Sequence, residues 1–290
     1  MFKGSITALI TPFQNEGIDW TAFEKFLEFQ ITEGSHGLVP CGTTGESPTL
    51  SHDEHREVIK RCVEITDKRV PVIAGTGSNS TAEAIELTAM AQKDGADAAL
   101  IVTPYYNKPT QEGLYAHFTA IHEASHLPII IYNIPGRSVI NMSTETMAAL
   151  AKLPRIIGVK DATDDAGRPV LTRLACGSDF CQLSGEDGSI GAFLGQGGHG
   201  IISVLSNIAP KLCSQMHEAW QARDLDQFAS LRDRLMPLAA ALFCETSPAP
   251  VKYAASVLGL CKADVRLPLV AASQDARDAV DKALKAAELV

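Results

Sequence analysis

Short apolar runs recur along the chain at a regular interval. They are ITALI (6–10), GLVP (37–40), VPVIAG (70–75), AALIVT (98–103), PIIIYN (128–133), RIIGVKD (155–161), CQLSG (181–185) and GIISV (200–204). Most are separated by about 20–33 residues, the length of one strand–helix unit. They are continuously apolar rather than alternating, the pattern of parallel strands covered on both faces. The stretches between them are amphipathic. DWTAFEKFLEFQITEG sets Trp20, Phe23, Phe26, Leu27 and Ile31 near a 3.6-residue period. SHDEHREVIKRCVEIT opens on Ser51 with Glu54 three residues later, a capping box. STAEAIELTAMAQKDG starts at Ser80 or Thr81 and stops at Gly95. STETMAALAKL and NIAPKLCSQMHEAWQARD continue the series.

Eight such units predict an α/β protein of the TIM (β/α)8 barrel class. The eighth helix ends near Arg223, which places the barrel at 1–223. Residues 224–290 hold three more helical patterns, LDQFASLRDRLMPLAAALF, PAPVKYAASVLGL and SQDARDAVDKALKAAELV, and predict a small C-terminal helical domain. The competing architecture is a doubly wound open sheet. It asks for a glycine fingerprint at the first strand–helix turn, and ITPFQNEGI has none.

Composition narrows the function. The chain has 290 residues, 46% hydrophobic and 20% charged, enough for a substantial core. Its net charge of −9 and the lack of a basic stripe argue against nucleic acid as a partner. No apolar stretch approaches ~18 residues, so no membrane span is expected. The N-terminus MFKGSITALITPF lacks the length and cleavage site of a signal peptide. Seven scattered cysteines, odd in number and without a CxxC pair, predict reduced thiols in a cytosolic protein.

In a barrel the chemistry sits where strands end at their C-terminal side. CGTTGE (41–46) sets Thr43 and Thr44 between glycines. The backbone of such a turn can hold an anion, and the hydroxyls can bond or relay protons. The same segment also fits a tight turn capping the next helix. Tyr105 and Tyr106 fit rim residues beside a turn proline. Tyr132 ends the fifth run, and Arg137 follows it, either as a bidentate carboxylate partner or as a surface arginine. Lys160 ends the sixth run. Desolvation by Ile157 and Val159 would favour its neutral amine, as a Schiff-base lysine requires. Pairing with Asp161, or snorkelling from the barrel mouth, is the other reading. The His52–His55 pair lacks the HExxH spacing of a zinc protease, so no metal site is expected. GQGGHG precedes the eighth strand, at the wrong end for a phosphate, and Glu186 and Asp187 in SGEDGS would repel one.

Together, GTTGE (42–46), YNIPGRS (132–138) and GVKDAT (158–163) resemble the dihydrodipicolinate synthase / N-acetylneuraminate lyase superfamily of class I, Schiff-base aldolases. The likeness runs along essentially the whole chain, and it implies a TIM barrel with a C-terminal helical domain. The paired threonines, Tyr105–Tyr106 and Arg137 put it nearest the dihydrodipicolinate synthase branch. That branch implies condensation of pyruvate with aspartate 4-semialdehyde on the way to lysine, with no metal and no bound cofactor. By the same resemblance Lys160 would be the nucleophile for pyruvate and Tyr132 the proton donor and acceptor. Thr43 and Tyr106 would complete the relay, with Tyr106 supplied by a neighbouring subunit. Thr44 and Ile202 would contact pyruvate, Arg137 would hold the semialdehyde carboxylate, and Gly185 would shape the pocket floor. A cytoplasmic homotetramer, a dimer of dimers, is implied. Feedback inhibition by lysine would use Ser47, His52, His55, Asn79, Glu83 and Tyr105. Three positions depart from the family pattern: Pro48 where alanine is frequent, Asp161 where many members have glutamate, and Gly136 in place of a bulkier residue. Two alternatives stand beside this reading. One is another pyruvate-dependent aldolase acting on a sugar acid. The other is a catalytically dead member, which would lack Lys160 or Tyr132.

Overall fold

The computed structural model describes residues 2–290. Eight strands carry the sheet: β1 (Gly4–Ala8), β2 (Leu38–Val39), β3 (Ile73–Gly75), β4 (Ala98–Val102), β5 (Ile129–Asn133), β6 (Ile156–Asp161), β7 (Cys181–Ser184) and β8 (Gly200–Ser203). Within each of the two units described below, every pairing among these eight strands is parallel. Each expected apolar run supplies one strand, and helices separate them. The fold is the TIM (β/α)8 barrel class that the periodicity predicts.

The described residues fall into two compact units, one around Val72–Ile202 and one of Gly4–Pro71 with Ser203–Val290. In the first, β3 to β8 pair in sequence order, each with the next. The helices α3 (Thr81–Lys93), α4 (Gln111–Ala124), α5 (Thr144–Leu150), α6 (Arg168–Cys176) and α7 (Ile190–Gly195) alternate with them. Ser80 caps α3 by accepting from the Glu83 amide, and Thr110 caps α4 likewise. The strands are buried nearly throughout, since Val, Ile, Leu and Ala face both the barrel interior and the helices.

In the second unit β1 pairs with β2, Thr7 opposite Leu38. Helices α1 (Trp20–Thr32) and α2 (His52–Thr66) follow the two strands, and the capping box of Ser51 with Glu54 is formed. The unit also holds α8 (Pro210–Ala222), α9 (Leu225–Leu242), α10 (Ala249–Val257) and α11 (Gln274–Ala286). Asn207 ties the exit of β1: its amide donates to the Ala8 carbonyl, and its oxygen accepts from the Ile10 amide. One element escapes the periodicity argument. Phe13–Gln14 and Gly17–Ile18 form a small antiparallel hairpin. Its two turn residues, Asn15 and Glu16, are both left-handed at φ 53° and 65°.

Candidate active site

Pairing of β5 with β6 sets Tyr132 beside Lys160 and Asn133 beside Asp161. Side chains alternate along a strand, so Lys160 and Asp161 leave opposite faces. Lys160 is only 6% exposed, and its ammonium lies 4.2 Å from the centre of the Tyr132 ring. Burial pushes its pKa from 10.5 down to about 8, Glu186 and Asp187 hold it up, and Arg137 pushes it down further. Glu186 moves the other way. Burial, with Asp164 and Asp187, raises its carboxyl from 4.5 to about 7, against the pull of Lys160 and Arg137. An amine and a carboxyl that titrate near neutrality therefore influence each other's charge within one unit.

Asp161 is engaged elsewhere. Its Oδ2 accepts from Arg168 Nε at 2.7 Å and from Asn133 Nδ2 at 3.3 Å. Its Oδ1 accepts from the Thr163 amide and hydroxyl. Arg168 also donates to the Met142 carbonyl, and Asn133 donates to Asn141. This frame grips β5 and β6 one residue beyond Tyr132 and Lys160. Pairing of Lys160 with its neighbour, one of the two sequence readings, is not what the structure has.

Gly185 follows β7, and its amide donates to the Asp161 carbonyl at 2.7 Å. A Cβ there would lie 2.7 Å from the Ala162 Cβ and 3.2 Å from Lys160 Cε. A side chain there would collide with Ala162 and crowd the end of Lys160. Ile202 is fully buried in β8. Arg137 sits exposed on a single helical turn, Pro135–Ser138, after β5. Ser138 anchors that turn by donating to the carbonyls of Ile134 and Ile140.

Tyr106 is 88% exposed and left-handed at φ 70°, so it reaches no part of its own unit's core. Tyr105 lies beside Asn79, whose amide donates to the Tyr105 carbonyl at 3.1 Å. Burial, and then the Glu83 charge, raise the Tyr105 phenol. Ser78 Oγ donates to the Glu83 carboxylate. Three of the six expected effector residues, Asn79, Glu83 and Tyr105, are thus neighbours in the first unit.

Thr43 and Thr44 belong to the second unit. Their turn is closed by the amides of Gly45 and Ser47 on the Gly42 carbonyl and of Glu46 on the Thr43 carbonyl. Thr11 Oγ1 donates to the Gly45 carbonyl at 2.7 Å. A side chain on Gly45 would press within 3.0 Å of the Leu9 carbonyl oxygen. Thr44 is buried and Thr43 half-buried. Ser47 lies on the following turn, and His52 and His55 open α2. Among the described residues no group of three His, Cys, Asp or Glu is placed to hold a metal ion, and no helix is long and apolar enough to cross a membrane.

Sequence reasoning undervalued Glu186, treating it only as a charge hostile to phosphate. Its place after a barrel strand was the available signal. Arg168 was not singled out at all, because an arginine at the start of a helix looks like any surface cation.

The family model described as the dihydrodipicolinate synthetase family matches residues 1–287. A 4-hydroxy-tetrahydrodipicolinate synthase of Rhodospirillum centenum is 66% identical over 98% of both chains. Among solved structures, the chloride-inhibited dihydrodipicolinate synthase of Acinetobacter baumannii complexed with pyruvate is 45% identical, with a TM-score of 0.97 over 100% of both chains. DHDPS of Cyanidioschyzon merolae with lysine bound is 38% identical, with a TM-score of 0.96 over 100% of this chain and 99% of that one.

Proposed function

The chain belongs to the dihydrodipicolinate synthetase family, and we propose that it condenses pyruvate with L-aspartate 4-semialdehyde through an imine on Lys160, as a 4-hydroxy-tetrahydrodipicolinate synthase. It is a lyase-type enzyme of amino-acid biosynthesis. The observation that carries the mechanism is the Lys160 amine, buried, brought down to about 8 and set against the Tyr132 ring. A neutral amine is the attacking species, and desolvation is what supplies it near neutrality.

Lys160 Nζ adds to the C2 carbonyl of pyruvate, and loss of water gives an iminium. The cationic nitrogen then accepts electrons from the C3–H bond as that proton leaves, which forms the enamine. The enamine carbon attacks the aldehyde of the semialdehyde, and the new alkoxide takes a proton. The amine of the bound semialdehyde then displaces Lys160 and closes the ring. Each step moves a proton over a short distance. Tyr132, Thr43 and Tyr106 are assigned to the relay, since hydroxyls in fixed positions can pass protons in either direction. Thr44 and Ile202 hold pyruvate, and Gly185 leaves room for the lysine. Arg137, beside the Lys160 and Glu186 charges, receives the semialdehyde carboxylate in a bidentate pair.

The exposure of Tyr106 supports its service to another copy of the chain, and a homotetramer built as a dimer of dimers is the assembly that the family resemblance implies. Residues 1–223 form the catalytic barrel and 224–290 the helical domain, supported by contacts among the last helices. Tyr253 donates to Asp281, and Arg234 donates to the Ala287 carbonyl. The enzyme acts in the cytoplasm. Lysine is assigned as feedback inhibitor at Ser47, His52, His55, Asn79, Glu83 and Tyr105. The lysine-bound DHDPS of C. merolae supports this, as does the grouping of Asn79, Glu83 and Tyr105.

Pyruvate with borohydride is expected to leave one reduced adduct on Lys160 by peptide mass spectrometry, and turnover is expected with the semialdehyde and not with keto-deoxy sugar acids. An adduct on another lysine removes the mechanism. Preference for a sugar acid restores the aldolase alternative, which relatives up to 66% identical do not favour.

A further inference from the structure

Two opposite charges are fully buried in the second unit. Lys252 on α10 is 0% exposed and Glu46 is 1% exposed, and the ammonium stands 2.5 Å from Glu46 Oε1. Lys252 Nζ also donates to the Asp264 carbonyl at 2.8 Å and lies 3.9 Å from the centre of the Phe13 ring. The Arg266 guanidinium stands over that same ring at 4.3 Å. The other Glu46 oxygen, Oε2, accepts the backbone amide of Arg266 at 2.9 Å. Arg266 is itself fixed, with its guanidinium on both oxygens of Glu54 and on the carbonyls of Thr49 and Glu16.

Glu46 is the last residue of the Gly42–Glu46 turn. Its φ of 55° is left-handed, a conformation that a residue with a Cβ keeps only when its surroundings over-determine it. Here the surroundings are Lys252 and the Arg266 amide. Through the Glu46 amide on the Thr43 carbonyl, the pinned side chain sets the turn that carries Thr43 and Thr44. A buried ion pair is a weak device for stability alone, because apolar residues of similar volume do as well. It is a strong device for fixing one geometry.

We propose that Lys252 and Glu46 are positioning residues for the reaction, in which a buried lysine from a C-terminal helix pairs with Glu46 and so holds the threonine turn in its working shape. The proposal rests on the relay role of Thr43 assigned above. It is tested by a double-mutant cycle between the pair and Thr43. The pair is neutralised together, Glu46→Gln with Lys252→Met, so that no charge is left buried alone. Glu46→Gln by itself, which keeps the shape but loses the charge and one of the two accepting oxygens, serves if the double variant does not fold. Melting curves establish folding. Reduced pyruvate adduct on Lys160 reports the first step, and kcat reports the whole reaction.

The expected result is a folded variant that still forms the Lys160 adduct, with kcat down by about tenfold or more. Thr43→Val added to it should cost much less than Thr43→Val alone, since a displaced hydroxyl has little left to lose. Wild-type kcat in the neutralised pair overturns the proposal, and so do losses that simply multiply. Wild-type kcat in Thr43→Val alone removes the relay assignment, and with it the premise of the proposal. That failure is distinguishable from the others because it needs no change at Lys252.

Discussion

The rate at which Lys160 captures pyruvate should follow the titration of a lysine brought down to about 8. Moving the amine from 10.5 to about 8 corresponds to about 3 kcal/mol between its two protonation states. At a pH of about 7.5 roughly a quarter of such an amine is neutral, against about 0.1% of an ordinary lysine, a gain on the order of 200-fold. The sign follows from the nucleophile being the neutral form. The rate rises with pH, roughly tenfold per unit on the acid side, and levels off about one unit above the midpoint. Glu186 and Asp187 favour the ammonium, so Glu186→Gln should move the midpoint down and speed capture at neutral pH. The assay is initial adduct formation at low pyruvate with cyanoborohydride, quantified by intact mass between about pH 6 and pH 10. A rate still climbing steeply at the alkaline end would mean that Lys160 titrates like a free lysine, and the desolvation argument would fail. An upward shift in Glu186→Gln would show that the carboxylate does not stabilise the ammonium.

Three further outcomes are expected. Arg137→Ala should cut kcat/KM for the semialdehyde by about 10- to 100-fold, the worth of a charge-assisted pair, while pyruvate capture changes far less; equal losses would remove its assignment. Arg168→Leu leaves the buried Asp161 carboxylate without its counter-charge and should cost about 3–5 kcal/mol in urea denaturation; a loss below about 1 kcal/mol would show that the pair is no more than a surface contact. Gly185→Ala puts a methyl 3.2 Å from Lys160 Cε and 2.7 Å from the Ala162 Cβ, and should slow adduct formation by up to about 100-fold; unchanged kinetics would mean the floor yields freely.

The strands were legible because burial on both faces leaves no polar position to interrupt an apolar run, as β4 and β5 show. The helix starts were legible from capping chemistry at Ser51 and Ser80. The hairpin at Phe13–Ile18 was hidden. Its strands are two residues long, and its turn uses Asn15–Glu16 where Asn-Gly is the usual signal. At the site, Lys160 and Tyr132 were visible as polar residues at the ends of apolar strands. Their mutual placement follows from register, which no local pattern encodes. Lys252 was invisible for a different reason. One lysine in APVKYAASV fits the wet side of an amphipathic helix, and only the fold shows it buried. Its partner Glu46 lies far along the chain, inside a motif that was read for its threonines.

The Lys252–Glu46 pair also sets an order of events in synthesis. Glu46 is made about 200 residues before Lys252, an interval on the order of 10–40 s at ~5–20 residues per second. For most of that interval the first strands and their glycine-rich turn have left the ribosome, while the cation that neutralises the Glu46 side chain has not been translated. On the positioning role proposed above, the turn takes its working shape only once Lys252 and Arg266 have been made. A nascent chain stalled after its eighth strand would hold every residue assigned to the relay and to the imine, yet it would not carry the finished site.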